Sequence, residues 1–237
     1  LTPLAEVEPV DLGGATVRKA TLNNLGDIKK KGVKINSRVL IRRSNEVIPE
    51  ILGCVEHTEG SIDVEKPNVC PFCGGEIVEV GANLFCTNKQ CKPRVIATFA
   101  HFASKGAMNI EGFSEMTASQ LIDMLNLKSP SQIYSLTPRD IARLEGFKDK
   151  KIANLLGAIE ASRQVELDSF IFALGIDGVG KVAAKALADR FKSIEALRGA
   201  TAEELIKLDD VGEITANAIV GWFADEDFTK AWDFEEN

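Results

Sequence analysis

Ile176-Asp177-Gly178-Val179-Gly180-Lys181 sets an aliphatic residue between two glycines, and the chain holds three further versions of that pattern. They are Ile110-Glu111-Gly112-Phe113-Ser114, Leu144-Glu145-Gly146-Phe147-Lys148 and Leu208-Asp209-Asp210-Val211-Gly212; in chain order the four are spaced 34, 32 and 32 residues apart. Eight residues beyond each central Phe or Val stands an aliphatic residue, Leu121, Leu155, Leu187 or Ile219. Four matching units at a near-constant period read as a repeat. The flanks are helical. Thr137-Pro138-Arg139-Asp140 offers a capping hydroxyl, Pro at the first helical position and an acid at the third. Thr201-Ala202-Glu203-Glu204 fits a capping box. Ile152, Leu155, Leu156 and Ile159 follow the stripe of a helix face turned to a core. Each unit therefore reads helix, tight turn, helix, and the chain from Val95 onward reads as all-α.

The turn carries the chemistry. Its apolar residue plugs between the two helices, while its glycines let a partner approach the backbone. The second helix then opens with unpaired N–H groups and a positive dipole end, a seat for a phosphate oxygen. Gly178-Val179-Gly180-Lys181 is the fullest copy. Gly146-Phe147-Lys148 lacks the second Gly but gains Lys148, Lys150 and Lys151. Gly112-Phe113-Ser114 has no basic follow-up, and Asp210-Val211-Gly212-Glu213 brings carboxylates that would repel phosphate. This is the helix-hairpin-helix motif, which holds nucleic-acid backbone without reading bases. One copy would be equally at home as a plain helical corner; four in series point to nucleic acid.

Upstream lie Cys70-Pro71-Phe72-Cys73-Gly74-Gly75 and Cys86-Thr87-Asn88-Lys89-Gln90-Cys91. Two close pairs of thiolates suit one tetrahedral Zn²⁺, with Cys70, Cys73, Cys86 and Cys91 as ligands. Four protein ligands leave no open position, so the metal would hold the fold rather than catalyse. Disulfides or unrelated thiols are the other readings, and a redox CxxC would not need the second pair. Lys66, Lys89 and Lys92 would offset the site's negative charge. Glu76–Val80 and Asn83–Phe85 predict a hairpin turning at Gly81, and Cys54 reads as a small core residue.

Residues 1–65 read as strands, among them Thr16–Leu22, Arg38–Arg43 and a stretch from Glu46 to Glu56 broken by Pro49. Asp27–Lys31 predicts a short helix ended by Gly32. A small barrel follows, of OB or SH3 type. Arg18, Lys19, Arg42 and Arg43 on its strands are either a solvated face or phosphate contacts.

The 237 residues are 45% hydrophobic and 27% charged, with net charge −7, an ordinary globular composition. No apolar run approaches a membrane span, and the start has no secretory signal. A chain opening on Leu1 reads as a piece of a longer protein. The negative charge is uneven: from Thr201 onward two Lys face eleven Asp and Glu, while residues 1–200 carry 26 positive and 24 negative charges. Basic clusters at Lys29–Lys31, Arg42-Arg43 and Lys148–Lys151 thus stay compatible with a phosphate partner, which responds to local potential.

The order of barrel, four-cysteine module and four hairpins resembles the C-terminal part of bacterial NAD-dependent DNA ligases. Lys19-Ala20-Thr21-Leu22-Asn23-Asn24 is similar to that family's Arg-Ala-Thr-Leu-His-Asn run, and Arg42-Arg43-Ser44-Asn45-Glu46-Val47-Ile48-Pro49 to its basic-Ala-Gly-Asp-Val-Ile-Pro segment. Leu1-Thr2-Pro3 with Val7-Glu8-Pro9-Val10 resembles the entry to its OB domain, and His101–Met108 the start of its helical domain. Lys19, Asn23 and Asn45 depart from the family's Arg, His and Gly.

The resemblance implies an α+β multidomain fold: an OB-type β-barrel at 1–66, a four-cysteine zinc finger at 67–94, and an all-α helix-hairpin-helix domain at 95–237 with an acidic tail. It implies the DNA-binding portion of a ligase that seals nicks in duplex DNA during replication and repair. Adenylation and BRCT domains are absent from these residues, so the segment alone would be inactive, with NAD and Mg²⁺ bound elsewhere in the full-length enzyme. The expected contacts to nicked double-stranded DNA are Lys19, Arg42, Arg43, Gly112, Gly146, Lys148, Lys150, Lys151, Gly178, Gly180, Lys181 and Gly212. The protein is expected to be a cytoplasmic monomer with no membrane partner. Rival readings are a stand-alone, non-catalytic DNA-binding or scaffold module, and a protein-interaction adaptor if the acidic tail dominates.

Overall fold

The computed structural model describes residues 1–44 and 48–225, which divide into two compact units, Leu1–Cys91 and Lys92–Asn237. Asn45, Glu46 and Val47 of the ligase-like segment, and the tail beyond Asp225, lie outside the described residues.

Ala20, Leu22, Ile28, Val33 and Ile51 form the aliphatic core of the first unit. Strands β1 (Leu4–Leu12) and β2 (Ala15–Thr21) pair antiparallel, joined at Gly13-Gly14, where φ is +62° and +80°. Helix α1 (Leu25–Lys30) starts where the Asn24 side chain accepts the Asp27 N–H at 2.8 Å, and Gly32 follows it at φ +62°. Strands β3 (Ile35–Ser44) and β4 (Ile48–Ile62) are antiparallel, and Thr21 bridges Glu50 in parallel, giving the sheet order β1-β2-β4-β3. These strands are OB-like. Pro49 does not break the extended stretch. It is the second residue of β4, opposite Arg43, a position near a strand end where the missing N–H is tolerated.

Beyond them β5 (Ile77–Val80) and β6 (Asn83–Cys86) make the expected hairpin, with Gly81 at φ +60° in the turn.

The second unit is helical: α2 (Lys92–Ala103), α3 (Glu115–Leu125), a 3₁₀ turn (Pro130–Ser135), α4 (Pro138–Ile141), α5 (Asp149–Ala161), α6 (Leu167–Ala173), α7 (Lys181–Phe191), α8 (Ile194–Arg198), α9 (Ala202–Leu205) and α10 (Glu213–Ala224). Both expected capping motifs form, Thr137 with Asp140 and Thr201 with Glu204. One continuous core runs through the unit. The repeat positions supply much of it. Phe113, Phe147, Val179 and Val211 are buried, and Leu121, Leu155, Leu187 and Ile219 are at most 1% exposed. Among the described residues, no helix is long and apolar enough to cross a membrane.

Candidate metal centre and nucleic-acid interface

The hairpin β5–β6 and the two knuckles around it bring Cys70, Cys73, Cys86 and Cys91 together, all four sulfurs lying within 4.8 Å of one another. Cys70 Sγ and Cys91 Sγ are 3.8 Å apart, Cys73 Sγ and Cys86 Sγ 3.5 Å. A tetrahedron with Zn–S bonds of about 2.3 Å has edges near ~3.8 Å, so the cluster has the dimensions of a four-thiolate metal site. Gly74 and Gly75 shape the knuckle that follows Cys73. Gly74 adopts φ +69° and its N–H donates to the Cys70 carbonyl at 2.8 Å. The Gly75 amide hydrogen-bonds the Cys73 sulfur and brings its pKa down to about 6, with Asn88 adding a side-chain bond. A Cβ on Gly75 would stand 3.3 Å from that sulfur and 3.3 Å from the Asn88 side chain. Burial acts the other way on Cys91, whose thiol is pushed up to about 12. Such a buried thiol ionises only if a cation takes its proton's place. The charge offset expected from lysines is partly committed elsewhere: Lys66 pairs with Glu79 at 2.5 Å and Lys92 with Asp123 at 2.6 Å. Cys54 stands apart from the cluster. It is half-buried rather than in the core, its sulfur 3.5 Å from His57 Nδ1.

Each helical repeat closes through a backbone hydrogen bond from the plug residue: Phe113 to Ile110, Phe147 to Leu144, Val179 to Ile176 and Val211 to Leu208. Gly112, Gly146 and Gly178 take φ of +84°, +77° and +81° at the third turn position, as a type II turn demands. Asp210 in the fourth copy does not adopt positive φ, because its Cβ makes that region costly. The fourth turn is thus a different turn, not only a more acidic one. All the expected contact glycines, Gly112, Gly146, Gly178, Gly180 and Gly212, are exposed.

The helix that follows each turn differs in its cap. Ser114 accepts the Thr117 N–H at 3.2 Å, so α3 satisfies one of its own amides. Lys148, Gly180 and Gly212 provide no side-chain cap, leaving the first-turn amides of α5, α7 and α10 without one. The first turns of α3, α5 and α10 hold Glu115, Asp149 and Glu213, whereas α7 has no acid there. Gly180-Lys181 therefore opens the most anion-attracting helix end of the four.

The basic side chains divide into engaged and open ones. Lys151 Nζ lies 3.8 Å above the Phe147 ring. Lys181 Nζ sits 5.6 Å from the Phe172 ring centre and donates to the Lys105 carbonyl at 3.4 Å. Lys148 and Lys150 are exposed, with no ion pair among the described residues. On the strands, Lys19 lies 3.6 Å from Glu6, Arg42 pairs with Glu50 at 2.5 Å, and Arg43 donates to the Leu12 carbonyl at 3.2 Å. The sequence did not single out the residues that brace the turns. Gln120 Oε1 accepts the Glu145 N–H at 2.6 Å, tying α3 to the second turn, and Thr215 packs on Gly178. The first and second turns also border one open groove of about 730 Å³, lined by Gly112, Phe147 and Lys151.

Residues 1–61 match the NAD-dependent DNA ligase OB-fold domain. DNA ligase 1 of Clostridium acetobutylicum is 50% identical to this chain over 233 residues, 98% of the chain and 35% of that protein. Over nearly its whole length the chain is thus similar to a part of NAD-dependent DNA ligases. The DNA ligase of Alkaliphilus oremlandii is 51% identical over 233 residues and that of Clostridium novyi 48% over 235, each again at 98% of this chain and 35% of the relative. The chain thus spans about a third of the length of the curated relatives it matches. Residues 169–231 also match the helix-hairpin-helix motif, covering the third and fourth turns.

One departure from the ligase motif has a structural use. Asn23 sits at φ +57° and its amide donates to Asp27 Oδ2 at 2.8 Å. Lys31 lies 2.7 Å from the same carboxyl and, ahead of Asn23, holds it below the usual carboxylate range.

Proposed function

We propose that this chain is the DNA-gripping part of a ligase that seals nicks in duplex DNA during replication and repair. In the whole enzyme, AMP taken from NAD⁺ passes to the 5′-phosphate at the nick, and the 3′-hydroxyl then displaces it. That chemistry, with its Mg²⁺, belongs to an adenylation domain outside these residues, so the chain by itself holds DNA and does not join it.

Three modules divide the work, at 1–66, 67–94 and 95–237. The OB-like strands lie across the duplex, with Lys19, Arg42 and Arg43 as phosphate contacts; Arg42 then exchanges Glu50 for DNA. The helix-hairpin-helix module holds backbone through the amides beyond Gly112, Gly146, Gly178-Gly180 and Gly212, reinforced by Lys148, Lys150, Lys151 and Lys181. The four cysteines hold a structural Zn²⁺. Their donor set and spacing fit it, and the ion would fix the two knuckles against the β5–β6 hairpin. The protein acts as a cytoplasmic monomer.

The observation that carries this reading is the row of uncapped helix starts behind exposed glycine turns, with α7 free of acids in its first turn. Replacing Lys148, Lys150, Lys151 and Lys181 together by Glu tests it. Wild type is expected to bind duplex DNA of any sequence, with affinity falling steeply as salt is added, and the variant to lose that binding. Binding that survives the four replacements would contradict the proposed surface.

A further inference from the structure

Two residues beyond each second-helix cap, the four repeats carry Met116, Lys150, Val182 and Ile214. The three apolar ones point into solvent, at 68%, 67% and 87% exposed, although the plug residue of each repeat and the aliphatic residue eight positions on are buried. A helix start ordinarily favours acidic or small polar side chains there, so a large apolar residue exposed at one equivalent position in three of four repeats asks for a partner. Val182 and Ile214 lie in the first turns of the uncapped helices α7 and α10, and Val182 follows Lys181 directly, whereas Met116 lies on the Ser114-capped α3. The third and fourth are neighbours, because Thr215, next to Ile214, packs on Gly178 in the turn that precedes Val182. Two of the three first-turn acids, Glu115 and Glu213, directly precede the apolar side chain, and the third, Asp149, precedes Lys150. A surface that alternates anion seats with apolar knobs is complementary to a polymer that alternates phosphates with sugars.

We infer that Met116, Val182 and Ile214 pack on deoxyribose rings between the gripped phosphates, and that they make the hairpins prefer DNA to RNA. The inference rests on the reading of the hairpins as the backbone grip. A ribose 2′-hydroxyl pressed against these side chains would lose water and find no acceptor, whereas the 2′-carbon of deoxyribose buries favourably. The first and fourth hairpins, poor as phosphate seats, then contribute through sugar contact.

Fluorescence anisotropy of the whole chain with a DNA duplex and an RNA duplex of the same sequence, at fixed salt, tests this. Wild type is expected to prefer DNA by about tenfold or more. The triple variant Met116→Gln, Val182→Thr, Ile214→Thr is expected to lose most of that preference while keeping the same salt dependence, since no charge changes. The conservative set Met116→Leu, Val182→Ile, Ile214→Val should retain it. Wild type binding both duplexes equally, or a triple variant with undiminished DNA preference, overturns the inference and leaves the backbone grip intact. Wild type binding neither duplex overturns both. A wild type that dimerises in sedimentation while the triple variant does not would give the knobs to a second copy of the chain, and would also overturn it.

Discussion

Gly178 meets two constraints that can be separated. Its φ of +81° penalises any side chain, and a Cβ would stand 2.7 Å from Thr215 Oγ1. Gly146 has the same backbone, φ +77°, with open space around the missing Cβ. Gly146→Ala should therefore cost about 1 kcal/mol, the left-handed backbone term alone, and Gly178→Ala about 2 kcal/mol or more. Urea unfolding of the two variants checks the order; equal costs would mean that Thr215 moves aside freely. Asp27 gives a pH-dependent test. Lys31 and then Asn23 hold its carboxyl below the usual range, so the stability it confers is complete above about pH 4, where the unfolded carboxyl is ionised, and is lost as pH falls through the folded value. Asp27→Asn should cost about 0.5 kcal/mol at about pH 6, and the gap should close in acid. A gap that widens in acid would contradict the assignment.

Among the elements, the repeat was the most legible because its pattern and its burial coincide. The plug residues and the aliphatic residue eight positions on are the ones the core needs, so periodicity alone located four hairpins. Leu187→Ala, at a fully buried repeat position, should cost roughly 2–5 kcal/mol in thermal or urea unfolding. The β5–β6 hairpin was legible for a similar reason, with Gly81 between two short apolar runs. Strand β1 was not, since most of its residues are exposed and it lacks clean alternation. Pro49 misled because the break it signals depends on position within the strand, which the sequence does not display. In the candidate site, cysteine spacing foretold a cluster, but the choice of Gly75 and Asn88 as partners of Cys73 needed coordinates. Likewise, side-chain types announced Arg42 and Lys181 as cations without disclosing that Glu50 and the Lys105 carbonyl already engage them. For the metal centre the expected result is one zinc per chain by elemental analysis. Cys91→Ser or a chelator should remove it and lower the melting temperature, while Cys54→Ser retains it. A chain indifferent to chelator would contradict the zinc assignment.

At the scale of the molecule, net charge is a poor guide to partner. The chain carries −7 overall, yet the carboxylates crowd the last 37 residues while Lys148, Lys150 and Lys181 flank two glycine turns. Each compact unit has its own core, and the four cysteines belong to the first. Backbone amides at the helix starts would seat the phosphates, and these can be followed one segment at a time. Amide hydrogen exchange of the whole chain, with and without a duplex DNA at low salt, reads them directly. The prediction is slower exchange on DNA binding at the first turns of α5 and α7, residues 149–151 and 181–183, with little change in their buried C-terminal halves. DNA binding that leaves those first turns exchanging at the free rate would contradict the claim that they seat the phosphates.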